Sequence, residues 1–99
     1  MAAAAPAYFI AELDIHDAEA YQKYREGVPA TLLPYGGRFM VRGGQIGALE
    51  GDAPKRVVVL AFPNMGEARR WYESPAYQAL LPQRLKAAKA RAYFVEGVA

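Results

Sequence analysis

At 99 residues the chain makes one domain, large enough to bury about two-thirds of its unfolded surface and small enough to gain from a partner. With 54% hydrophobic and 22% charged residues and a net charge of +2, it is neither a disordered chain nor one built to hold a polyanion. The absence of cysteine excludes a disulfide frame, a thiol nucleophile and a thiolate metal site.

Residues 1–6 read as an alanine-rich flexible tail, without the basic start or apolar core of a secretory segment. Residues 7–99 form the single domain, and no stretch approaches the roughly 20 apolar residues of a membrane span. A cytoplasmic location without a membrane partner is expected. Residues 7–14 alternate, with Phe9, Ala11 and Leu13 on one side and Tyr8, Ile10 and Glu12 on the other. This is a strand with both faces largely apolar. Asp17 can cap the next element, in which Tyr21, Tyr24 and Val28 recur at helical spacing. Pro29 predicts a break after Gly27-Val28 and a further turn over residues 29–33.

Residues 38–42 form a short strand, with Phe39 and Val41 facing opposite to Arg38, Met40 and Arg42. Gly43-Gly44 signals a hairpin into residues 45–50, and Gly51-Asp52-Ala53-Pro54 is a second turn. The apolar run 56–62 reads as a central strand covered on both faces. Asn64 caps the next helix, with Glu67 placed to return to the cap amide, and Ala68, Trp71 and Tyr72 share one helical face. Ser74-Pro75 restarts the chain as a new helix and sets Trp71 near Tyr77. Residues 80–90 are ambiguous. Pro82 can begin a turn, and Leu81, Leu85 and Ala88 would make a short apolar stripe. Residues 92–98 close the domain as a strand.

The order β-α-β-β-α-β is the split βαβ arrangement of a ferredoxin-like sandwich, an α+β fold with a four-stranded antiparallel sheet and helices on one face. Two helical segments cover one side of such a sheet, whereas the strands are apolar on both. The expected second cover is another copy of the chain, in a two-fold homodimer with sheets packed face to face.

Ala7-Tyr8-Phe9-Ile10-Ala11-Glu12, Tyr35-Gly36-Gly37-Arg38-Phe39, Val41-Arg42-Gly43-Gly44, Leu49-Glu50-Gly51 and Trp71-Tyr72-Glu73-Ser74-Pro75-Ala76-Tyr77-Gln78 together resemble the family called domain of unknown function 1330. The resemblance runs in order across nearly the whole chain. It implies the ferredoxin-like fold and a dimeric α+β barrel, a superfamily that includes cofactor-independent quinone-forming monooxygenases, muconolactone isomerases, haem-binding chlorite dismutase-like proteins and stress-response proteins. It implies no particular reaction.

Tyr8, Tyr24, Trp71 and Tyr77 are candidates to line a pocket for a small, partly polar organic molecule. Aromatics at helical spacing are equally those of a packed core. Arg42, with Arg38 on its face, can hold a carboxylate or an enolate, or simply pair with Glu50 across the hairpin. His16, the only histidine, lies between Asp14 and Asp17 on a strand-to-helix loop. It is the candidate general base, with Arg42 stabilising a developing oxyanion, if the protein is a cofactor-independent monooxygenase- or isomerase-like enzyme acting on a small aromatic or enolisable acid. A purely structural or regulatory dimer is the third reading. No metal site is expected, because one histidine and scattered carboxylates lack ligand spacing, and no cofactor motif is present. Arg84, Lys86, Lys89 and Arg91 read as a solvated helix end. Residues 56–62 lack the aromatic pattern of an RNA-stacking strand, so nucleic acid is not an expected partner.

Overall fold

The computed structural model describes residues 5–99, so positions 1–4 of the expected tail lie outside it. The elements in order are β1 (Ala7–Ile15), α1 (Ala18–Leu32), β2 (Arg38–Arg42), β3 (Arg56–Phe62), α2 (Met65–Glu73), α3 (Pro75–Ala87) and β4 (Ala88–Glu96), with a 3-10 turn at Leu33–Tyr35. The strands form one antiparallel sheet in the order β2-β3-β1-β4. The alternation of β1 holds: Ala7, Phe9, Ala11 and Leu13 are buried on the helix side, level with Phe62, Leu60 and Val58 of β3. The result is the ferredoxin-like α+β sandwich, with the second helix of the βαββαβ order divided into α2 and α3.

Local chemistry accounts for the helix starts. Asp17 Oδ1 accepts from Ala20 N–H at 3.1 Å, and Asn64 Oδ1 from Glu67 N–H at 2.8 Å. Glu67 does not return to the cap amide as expected; its carboxylate takes Arg70 at 2.7 Å instead, one turn along. Ser74 ends one helix and starts the next. Its hydroxyl donates to the Trp71 carbonyl at 2.6 Å and accepts from Tyr77 N–H at 3.2 Å, with Pro75 in the first turn of α3. The two rings this turn sets together, Trp71 and Tyr77, lie 4.1 Å apart between centroids.

Three expectations are corrected. α1 does not break at Pro29 but runs on to Leu32. A proline there removes the N–H that would serve the Arg25 carbonyl; the Arg42 guanidinium serves that carbonyl instead, at 3.2 Å. The hairpin strand expected over residues 45–50 is absent, and β2 pairs with β3 across a long loop. Residues 45–50 hold Gly47 and a single β-branched side chain, Ile46, whereas β3 opens with Arg56-Val57-Val58-Val59 and is the stronger partner. Finally, residues 80–90, open between a turn at Pro82 and a short apolar stripe, hold neither as expected. α3 continues through Pro82 to Ala87, and β4 begins directly after it. The face α3 buries is Tyr77, Leu81, Arg84 and Ala87, while Leu85, expected in the apolar stripe, is 64% exposed.

Candidate functional site

α1 and the helix-facing side of the sheet do not close completely against each other. A cavity of about 20 Å³ remains, room for about one water molecule. Its floor is Phe9, Ala11 and Leu13 from β1 with Val58 and Leu60 from β3. α1 contributes Tyr21, Tyr24, Arg25 and Val28, β2 contributes Phe39 and Arg42, β3 adds Arg56, and α3 adds Arg84. Four arginines therefore line one small cavity, and no carboxylate does.

Each of these cations arrives by a different route. Arg25 joins Tyr21, Tyr24 and Val28 on the buried face of α1. Arg56 lies opposite Leu13 and shares the parity of Val58 and Leu60, so it ends an otherwise apolar stripe. Arg42 is re-aimed by a bulge. The β2–β3 register shifts between Phe39 and Val41, so Phe39 sits opposite Leu60 and Arg42 opposite Val58, both on the helix side. An extra residue in one strand reverses the facing of everything after it. This corrects the simple alternation, which set Arg42 beside Arg38 and opposite to Phe39. Arg42 instead stacks on the Phe39 ring at 4.2 Å, and its expected Glu50 partner lies on the loop, with no ion pair between them.

Gly43 follows at once, with φ +70 and its N–H on the Val57 carbonyl at 3.0 Å. A side chain at this position would collide with the Arg56 guanidinium. Glycine here both permits the left-handed turn and leaves space for a cavity cation.

Arg84 is the most deeply placed of the four, 3% exposed. It was expected in a solvated basic stretch. The helical spacing of Tyr77, Leu81 and Arg84 is the signal that places it inside. Beside it the Tyr24 and Tyr77 hydroxyls meet at 2.8 Å. Burial, followed by the neighbouring Tyr77 hydroxyl, pushes the Tyr24 phenol far above the usual tyrosine range. Burial also raises Tyr77, against the opposing charge of Arg84. For Arg84 burial works against the charge, but Tyr77 and Tyr24 outweigh it and the guanidinium stays firmly protonated. The Nε atoms of Arg84 and Arg56 are both buried without a hydrogen-bond partner.

The other predicted residues are elsewhere. Trp71 and Tyr77 are 0% exposed and are core rather than lining. Trp71 donates to Thr31 Oγ1 at 2.9 Å and packs edge-on against Phe9. Tyr8 lies on the opposite face of the sheet, near Arg38 and Pro63. His16 is exposed; its backbone N–H meets the Ala87 carbonyl at 2.9 Å, and it does not line the cavity. Of the predicted set, the cavity brings together Tyr24 and Arg42. Among the described residues no three of His, Asp and Glu gather as metal ligands, and no helix is long and apolar enough to cross a membrane.

The fold class is that of ferredoxin-like proteins. A protein of unknown function from Rhodopseudomonas palustris superposes with a TM-score of 0.77 at 17% identity, over 96% of this chain and 84% of that one. SnoaB, a cofactor-independent oxygenase from Streptomyces nogalater, gives 0.68 at 13% identity, over 97% and 96%. A dimeric ferredoxin-like protein of unknown function from Thermobifida fusca gives 0.64 at 15% identity, over 94% and 92%. A search of curated proteins found no match. The profile of Domain of unknown function (DUF1330) matches residues 6–98, and the chain belongs to that family.

Proposed function

We propose that this protein is a homodimer that binds a small organic molecule in the cavity between α1 and the sheet, one in each protomer. The observation that carries the binding reading is the convergence of four arginines and two tyrosines on an otherwise apolar cavity. A space needed only for packing is filled by aliphatic side chains, whereas a ligand site is largely apolar with a few convergent polar groups. The cavity is small as it stands, so a ligand enters by displacing the outer side chains. Arg42 is exposed and held by one carbonyl and one ring face, and is the natural gate.

Two observations support the homodimer. The sheet face away from the helices carries Tyr8, Ile10, Val57 and Val59 half-buried, with Val41 40%, Tyr93 45% and Val95 44% exposed. The Thermobifida fusca neighbour is dimeric. The lack of cysteine agrees with a cytoplasmic setting.

A cofactor-independent enzyme acting on an enolisable acid is the second reading, favoured by the cations available to an enolate. Its weakness is the base. Tyr24 is held protonated, and His16 stands outside the cavity. Binding without turnover therefore fits the lining better. A thermal-shift screen of small acids, phenols and neutral aromatics tests the proposal, because a ligand that prefers the folded state raises the melting temperature with its concentration. Saturable shifts that Tyr24→Phe or Arg42→Ala weaken are expected. A flat response across the screen would favour a purely structural dimer.

A further inference from the structure

Few buried side-chain atoms in this protein lack a partner: among the described residues they are Arg56 Nε, Arg84 Nε and Gln83 Oε1. The two arginine atoms belong to the walls of the same cavity. Buried donors are nearly always paired in folded proteins, so each unpaired one calls for a partner. The ion pairs among the described residues, Arg70–Glu67 and Arg91–Glu12, involve neither. Arg84, buried, and Arg56, half-buried with its guanidinium 5.5 Å from the Tyr21 ring centre, thus each keep an unused Nε–H donor beside one cavity whose lining holds no carboxylate.

Resting on the binding reading above, we propose that the cavity's ligand is an organic carboxylate, its anionic head held by Arg84 and Arg56 and its apolar body against Phe9, Tyr21 and Phe39. A carboxylate is acceptor-only and planar, so it matches the flat edge of a guanidinium through Nε–H and its neighbouring N–H. The aromatic wall excludes a bare inorganic anion as the best fit, since such an ion would leave that wall without a partner. The Tyr24 hydroxyl, engaged with Tyr77, holds the α1 wall in place beside the head.

The proposal separates charge from shape, so the test uses matched pairs. Acetate, propionate, benzoate and phenylacetate are titrated against the corresponding amides at equal ionic strength, with sodium chloride as the salt control. The readout is the arginine Nε–H resonances by NMR together with calorimetry. The expected result is that at least one carboxylate shifts the Arg84 and Arg56 Nε–H signals saturably while its amide does not. Arg84→Met should lower that affinity by about tenfold to a hundredfold, the cost of a charged hydrogen bond. Its far-UV circular dichroism and melting curve check that the variant keeps the parent's fold. If Arg84→Met fails to fold, the Nε–H signals of the unsubstituted protein decide alone.

An amide that binds as well as its acid would overturn the carboxylate assignment while leaving a ligand pocket in place. Affinity unchanged in Arg84→Met, or no movement of either Nε–H on saturation, would overturn the assignment of the head. Silence from every acid and every amide would mean that the cavity holds only water, and the binding reading would fall with it.

Discussion

At the scale of single residues, burial and charge sort the side chains into two groups. Trp71 looks like a ligand-stacking ring by composition, yet all of its surface is taken up by Phe9, Phe62 and Tyr77 and its N–H by Thr31. The Tyr24–Tyr77 pair is buried too, but carries titratable hydroxyls beside Arg84. Both phenols are raised in the fold relative to the unfolded chain, where they ionise near pH 10. The folded state therefore holds protons that the unfolded state releases. Their contribution is complete below about pH 10 and is lost as pH rises beyond it, each tyrosine removing up to about 1.4 kcal/mol per pH unit. Denaturant titrations between pH 9 and 11.5 should show stability falling, and Tyr24→Phe should remove part of that slope, the rest coming from Tyr77 and from Tyr93, whose phenol is raised by its bond to Glu12. An unchanged slope in that variant would mean the pair ionises as easily folded as unfolded.

At the scale of elements, α1 and β2 are joined by an exchange of hydrogen bonds. Pro29 leaves the Arg25 carbonyl without its helical donor, and Arg42, turned inward by the bulge at Met40, supplies one. Pro29→Ala restores the backbone donor and should stabilise the protein by about 1–2 kcal/mol, a part of the roughly 3 kcal/mol that separates the two residues in a helix interior. Arg42→Ala should cost about 0.5–1 kcal/mol in the parent and close to nothing in the Pro29→Ala background. The coupling in that double-mutant cycle is the measure of the bond. Additive effects would show that the carbonyl is served by water regardless of Arg42. The helix caps at Asp17, Asn64 and Ser74 and the inward stripe of β1 were legible in the sequence, because they depend on neighbours within four residues. The path of the chain past Pro29 and Pro82 was not, because whether a proline ends a helix depends on what else can satisfy or solvate the freed carbonyl.

At the scale of the whole molecule, the sheet has helices on one side and apolar side chains on both. Exposed apolar surface of this kind on a small domain is the mark of an interface. The proposed face-to-face dimer would cover Tyr8, Ile10 and Val59, with Glu12, hydrogen-bonded by Arg91 at 2.7 Å and Tyr93 at 2.9 Å, as a polar group on the same face. Sedimentation at micromolar concentration should give a particle of twice 10.8 kDa. Val59→Lys, at the centre of that face, should give a folded monomer. A parent that sediments as a monomer would remove the dimer from the proposal without touching the cavity, whose lining comes from one chain.

What the sequence by itself determined was the set of periodic elements, their caps and their order, and with them the sandwich and its two apolar sheet faces. These follow from spacing along the chain, which is a local property. Only the tertiary structure decided which arginines face inward. Arg42 turns on a single extra residue in β2, Arg56 on its parity with Val58, and Arg84 on α3 continuing one turn beyond Pro82. Each facing is set by an offset of one residue or one turn, and packing against distant elements selects among such offsets. A cationic side chain reads as solvated until the fold shows which way it faces.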